Sequence, residues 1–489
     1  MSDLGRGIVG AFRSENAAVT LHCNSLDDFS FAISNLNQVC TGHPQLVTNP
    51  TAHQLLTRTC LQHELRHYHD FLVSFCGFEI LRRKVQLAAN AYHYFRYFDW
   101  SAVDYFPFPL HDWALAPQTS RKEFRAWLER YYGLNLERVY DPGTVAIEDL
   151  KSTVMSDYEA DESTGSLRVL LRDAATVLGL HNDRVPERHG DLSAQDVYEI
   201  GGIARQMLGL FDLVGVDSAI ELTRATLRDG YYGRCLNMFA TLLRGMGVRD
   251  ILRFQMSIAT YCIAAEPPIG TEHLFFEPSP CYRLMRLVSH LEGKGSEVRR
   301  RMGDLEILVD YFASLLNEPP MLERIEASND WFGKRCDEMA SMVSAIASHR
   351  NAQLDQELLR FLSVCLELRK RFFVALSDSQ AAWLEGEFEG RRAPAIDMPP
   401  VILDMSKALP LPEAERLDVP LFQPGRSVAI YWSDYVNSQR ASFEAYAALE
   451  ALTSYVFFGD HPMKSPELAD SRDDALKKLI PARMIRYIG

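Results

Sequence analysis

No stretch of this sequence approaches the roughly 18 consecutive apolar residues of a membrane-spanning helix, which excludes an ordinary transmembrane segment. The run MSDLGRGIVGAFRSENAAV lacks a basic region followed by a sustained apolar core, so it does not read as a signal peptide. Cysteine is sparse and scattered. The nine residues are odd in number and form no CxxC pair, which argues against both a disulfide framework and a thiolate zinc knuckle. Reduced, buried thiols and a cytoplasmic location are therefore expected. Internal repeats and low-complexity tracts are missing too. Basic charge is in the minority: 51 Lys and Arg face 65 Asp and Glu, a formal net charge of −14. That balance disfavours nucleic acid and anionic membrane surfaces as partners.

What is present fits a globular enzyme. Hydrophobic residues make up 47% and charged residues 24% of 489 positions, enough apolar chain for a large core and too much for extensive disorder. Short alternating segments in residues 1–48, AAVTLHC and FSFAIS, predict a small sheet. Asn49-Pro50 reads as an N-cap with proline at the first helical position, opening a helix over about 50–76 that Gly77 interrupts. A second helical run covers 78–98, and 99–117 is a loop rich in proline and aromatics. After a helix at 122–132 and a mixed stretch, helical patterning dominates: 194–212, 217–228, 234–246, 249–264 and several helices between 281 and 387. Seven prolines within 391–424 predict a long loop or linker, and a last helix covers about 438–458. The fold class is mainly α with a small α+β N-terminal part. Pro267-Pro268-Ile269-Gly270 is the best candidate boundary, separating a metallohydrolase region, 1–266, from a helical C-terminal region, 267–489, with a single continuous helical body as the alternative.

The chemistry concentrates in Leu61-Gln62-His63-Glu64-Leu65-Arg66-His67-Tyr68-His69-Asp70. In a helix, residues four apart lie about 40° from each other, so His63 and His67 can converge on one ion. Leu61, Leu65, Tyr68, Leu72 and Phe75 fall on the other side, so one face enters the core while the histidines face a cleft. Glu64 sits a quarter turn from the ligands, placed to exchange a proton rather than bind metal. A chance HExxH among fourteen histidines is a risk of roughly a few per cent, and the bland reading is a polar helix face.

The segment resembles the HExxH zinc peptidases (zincins, gluzincin-like) over about ten residues. That resemblance implies His63 and His67 as zinc ligands and Glu64 as general base. The run HYHDFLVSF departs from the metzincin extension, and Val85-Gln86-Leu87 stands where thermolysin-like enzymes carry Asn-Glu. Catalytic zinc usually takes three protein ligands and keeps a fourth position for water. Glu199 is the first choice for the third ligand. It follows the cap-like Ser193-Ala194-Gln195-Asp196, precedes Gly201-Gly202, and its Glu-Ile-Gly-Gly-Ile-Ala run looks like a third-ligand helix of several HExxH families. Asp157 and Glu159, in a segment similar to prenyl-protein-processing zincins, and Glu444 and Glu450 remain alternatives.

Asp70 could accept the second N–H of a ligand histidine. His69 points off the metal face, toward the surface or a cleft wall. The aromatic run 92–98 reads as core, though a Tyr or His there could stabilise an oxyanion. The leading expectation is a zinc-dependent peptidase with a peptide or protein substrate, controlled by a recessed site, a regulatory partner or a trigger. Two other classes compete: an HD-type metal phosphohydrolase built on His53, His69, Asp70 and Asp157, and a non-catalytic helical scaffold with a relic HExxH. A di-iron carboxylate site is excluded, because Glu64-x-x-His67 is the only ExxH and such bundles need two.

Overall fold

The computed structural model describes residues 10–13, 17–23, 25–41, 50–75, 77–78, 81–82, 85, 188–189, 192–228, 239, 242–264, 280–347, 352–378, 380–384, 398–404, 428–431, 437–443 and 445–446. They form a mainly α structure with a small sheet. The strands are β1 (Gly10–Arg13), β2 (Ala18–His22), the short pair β3 (Arg188–His189) and β4 (Leu192–Ser193), β5 (Val401–Asp404) and β6 (Val428–Tyr431). The helices are α1 (Leu26–Thr41), α2 (Ala52–Val73), α3 (Ala194–Val214), α4 (Val216–Arg228), α5 (Val248–Ile263), α6 (Pro280–Leu291), α7 (Gly295–Arg301), α8 (Leu305–Leu316), α9 (Met321–Ala347), α10 (Ala352–Asp378) and α11 (Gln380–Leu384). No described helix is long and apolar enough to cross a membrane.

The main sheet has the order β1-β2-β5-β6. β1 and β2 are antiparallel with Gly10 opposite Leu21, β2 and β5 parallel with Val19 opposite Val401, and β5 and β6 antiparallel. Two of the four strands thus come from the far end of the chain. The segment 391–424 expected to be a linker contributes β5: Val401-Ile402-Leu403 is an apolar run flanked by prolines, and pairing with β2 satisfies its backbone. The Val19 amide donates to the Pro400 carbonyl at 2.9 Å, extending the ladder to the proline that precedes β5.

FSFAIS is another correction. It lies inside α1, not in a strand. Ser25 opens that helix, its Oγ accepting from the Asp28 amide at 3.2 Å, and Asp27 and Asp28 favour the positive end of the helix. The cap outweighed the alternation. For α2, the N-cap is Thr51 rather than Asn49: Thr51 and Gln54 form a reciprocal capping box. The helix stops at Val73, capped by Ser74, before the expected Gly77. In the expected helix 234–246, residues 242–245 are turns and Gly245 has φ 82°, a left-handed conformation that ends regular structure. The second helical run is helical at its described positions (78, 81, 82 and 85), and the last helix is helical at most of its described positions among 438–443 and 445–446. The expected elements at 99–117 and 122–132, the aromatic run 92–98 and the boundary at 267–270 lie outside the described residues.

Two apolar cores meet at α2. Leu61 and Leu65 pack with Val19, Leu21, Phe29, Val401 and Leu403 beneath the sheet, whereas Tyr68, Leu72 and Phe75 enter the large helical core. From Thr59 to Val73 every residue except Gln62 is buried, so α2 is enclosed on all sides instead of showing one face to a cleft. The five described cysteines with resolved surroundings (Cys23, Cys60, Cys262, Cys336 and Cys365) are buried free thiols.

Candidate metal centre

α3 packs along α2 and α5. Its run begins directly after Ser193, and its apolar residues Val197, Ile200, Ile203, Ala204, Met207 and Leu208 join the large core. The remaining stripe faces α2. A Cβ on Gly202 would stand 2.8 Å from His63 Nε2 and 2.9 Å from His67 Cε1, so only glycine lets the α3 backbone approach both imidazoles this closely. Gly201 similarly faces Asp70 and Arg66.

This crossing brings Glu199 to the histidines. Its Oε2 lies 3.2 Å from His63 Nε2 and its Oε1 3.7 Å from His67 Nε2, while the two Nε2 atoms are 2.9 Å apart. The three side chains could hold a metal ion, with their ligand atoms all within 4.8 Å of one another. His63 and His67 are only 6% and 8% exposed. Burial holds the His67 imidazole down to about 3, helped by His63 and Arg66, so it is neutral at physiological pH and keeps a lone pair for a metal. For His63, burial works against the charged form, but the hydrogen bond and charge of Glu199 and the charge of Glu64 outweigh it and raise the imidazole above its ordinary value. Burial likewise opposes ionisation of Glu199, and the two histidines overcome it and lower its carboxyl. The Nδ1 atoms of both histidines are buried and have no hydrogen-bond partner among the described residues.

Glu64 stands next to this triad without joining it. The backbone N–H of Phe12, on β1, donates to its Oε2 at 2.7 Å. Gly10 makes that approach feasible, since a Cβ there would lie 2.8 Å from Cys60 Sγ and 3.0 Å from Glu64 Cγ. The Phe12 ring packs on Tyr68 and Phe71, which anchors the strand on the helix. Burial pushes the Glu64 carboxyl up to about 7. The Glu199 charge adds to the rise, and His63 and the Phe12 amide pull against it. Such a group can both accept and return a proton near neutral pH.

Asp70 does not serve a ligand histidine. Its Oδ1 pairs with Arg66 Nε at 2.9 Å, the ordinary i, i+4 pairing of opposite charges on a helix. Arg66 also donates to Thr260 Oγ1 and to the Trp383 carbonyl at 3.3 Å, with its guanidinium over the Trp383 ring, tying α2 to α5 and α11. His69 is buried, not at the surface: it stacks on Phe372 with ring centroids 5.0 Å apart, and burial, with Arg66 and Arg205, lowers its imidazole to about 3. His53 pairs with Asp28 at 3.4 Å. The His53, His69 and Asp70 of an HD-type set therefore have separate partners, and Asp157 lies outside the described residues. The alternative ligands Glu159, Glu444 and Glu450 lie outside them as well.

Residue patterns alone missed the Phe12 amide, the Arg66 hub and Gln206, which stands seven residues after Glu199 on the same face of α3 and within hydrogen-bonding reach of His63. The i, i+4 spacing of Arg66 and Asp70 and the i, i+7 spacing of Glu199 and Gln206 were legible signals. The Phe12 amide had none, because every residue but proline carries the same donor. Comparison with known protein families, curated proteins and solved structures finds no match to this chain.

Proposed function

We propose that this chain is a zinc-dependent hydrolase that cleaves peptide bonds, with His63, His67 and Glu199 as ligands and Glu64 as general base. One observation carries the reading: two buried imidazole nitrogens and the half-buried carboxylate of Glu199, 132 residues beyond His67 in sequence, face one another beside a second carboxylate. Buried acceptors so arranged repel one another unless a proton or a cation lies between them. Two neutral nitrogens and one carboxylate are the donor set of many catalytic zinc sites.

When bound there, zinc would polarise a scissile carbonyl and lower the pKa of water. The protein's own groups supply the rest. Glu199 offsets part of the ion's charge. Glu64, held by the Phe12 amide and poised near neutrality, takes a proton from the attacking water and delivers it to the leaving amine. The acidic chain favours a peptide over a polyanionic substrate. The buried free thiols fit a reducing compartment such as the cytoplasm.

The test joins elemental analysis to digestion of an unbiased peptide library. Wild-type protein should carry about one zinc per chain. Glu64→Gln should keep that zinc and lose hydrolysis by about 10²- to 10⁴-fold. A wild-type protein purified without stoichiometric metal after zinc-replete expression, or a fully active Glu64→Gln, would sink the reading.

A further inference from the structure

α3 meets α2 along a seam of glycines with a hydrogen-bonded pair at one end. The Tyr198 hydroxyl donates to Ser74 Oγ at 2.7 Å. Further along, Gly201 faces Asp70 and Arg66, Gly202 faces His67 and His63, and a Cβ on Gly209 would run into the Gln62 carboxamide. As α3 advances from 198 to 209 its counterparts step back from 74 to 62, so the helices run antiparallel.

The glycines permit this approach but do not fix it. Without side chains at 201, 202 and 209, that part of α3 has no ridges to lock into the grooves of α2, so the seam by itself resists sliding and rotation weakly. Ser74, in contrast, is a fixed point. It is fully buried, its backbone N–H donates to the Asp70 carbonyl at 2.9 Å and its carbonyl accepts from Arg369 at 2.8 Å. Its Oγ also accepts from the Gly77 N–H at 2.9 Å. The Tyr198 ring packs on the large core, and its hydroxyl ties α3 to this anchor.

The residue held in this way stands next to Glu199. His63 and His67 share α2, so one backbone sets their spacing. Glu199 comes from α3, and its place depends on how α3 sits. A slide of one residue along the axis would move it about 1.5 Å, several times the roughly 0.2 Å by which a metal–ligand distance can vary. We infer that Tyr198 is a positioning residue: through Ser74 it sets the register of α3 on α2 and so places the Glu199 carboxylate against His63 and His67. The inference rests on the metal reading above.

The probe is cobalt, titrated into the full-length chain against a competing chelator. Tyr198→Phe removes only the hydroxyl, so it should keep about one cobalt per chain. It should bind that cobalt about fivefold more weakly than wild type, as expected for one lost hydrogen bond. Ser74→Ala removes the acceptor, and adding Tyr198→Phe to it should weaken cobalt no further. In a Glu199→Gln background, Tyr198→Phe should change cobalt affinity by less than about twofold, because the group through which it acts is gone. Wild-type affinity in Tyr198→Phe overturns the inference alone. So does an undiminished fivefold loss in the Glu199→Gln background, which would move the effect to the histidines or to the fold at large. A wild type that takes up no cobalt overturns the metal reading and this inference together.

Discussion

At the C-terminal end of α2, a buried guanidinium closes the helix. Arg369, on α10, donates to the carbonyls of Leu72, Val73 and Ser74, to Ser328 Oγ and to Asn329 Oδ1, and its three nitrogens all find acceptors. Its positive charge lies where the helix dipole is negative. In the middle of the same helix, His63 and His67 meet Glu199 against the backbone of Gly202. Both clusters are polar and largely enclosed, but one is complete as built and the other could hold a cation. Burial of polar groups therefore does not by itself mark a functional site.

That contrast can be broken at either end. The largest effect is expected from Arg369→Leu, which strands the last carbonyls of α2 with Ser328 and Asn329. It should cost about 3–5 kcal/mol of stability in chemical denaturation, with or without zinc. A loss below about 1 kcal/mol would show that water replaces the guanidinium and that the cluster is not structural.

Glu199→Gln should do the reverse. Zinc affinity should fall by more than about 100-fold in a competitive chelator titration. Stability without metal should change little, because the neutral amide relieves a buried charge. A variant that keeps wild-type zinc affinity would remove Glu199 from the ligand set.

Gly202→Ala is a smaller and sharper probe, since it replaces no ligand residue. Its methyl must displace both imidazoles or push α3 away from α2, at a cost of about 1–3 kcal/mol shared between metal affinity and stability. Wild-type values for both would mean that the two helices do not cross this closely.

The smallest effect is a pH slope. His63 is held above its ordinary value, so below that raised pKa zinc must displace one proton from it. Zinc affinity should then fall about tenfold per pH unit on acidification and level off above it. His67, near 3, is already neutral and adds nothing to the slope around neutral pH. A slope of about two protons would show that the imidazoles titrate together.

How much of this was legible differs from residue to residue. His63, Glu64 and His67 could be placed together because they share one helix, and helical geometry fixes neighbours four apart. Glu199 stood out among distant carboxylates because two glycines follow it, and glycines in mid-helix signal a close approach. The errors have equally local causes. FSFAIS alternates like a strand, but the Ser25 cap decides for a helix. Asp70 shares a face with His67 and also with Arg66, and the guanidinium takes it. His69 looked peripheral because a helix drawn alone has an outside, whereas α2 has none: α10 brings Phe372 over it.

By itself, then, the sequence determined the helical class, the pairing of two imidazoles on α2 and the candidate status of Glu199, all properties of local periodicity and backbone propensity. Only the tertiary structure decided that α3 lies against those imidazoles, that residues 401–404 extend a sheet begun at residue 10, and that the Phe12 amide holds Glu64. The reason is physical. A backbone N–H is the same at nearly every residue, and which one meets Glu64 depends on the packing of the whole chain around α2.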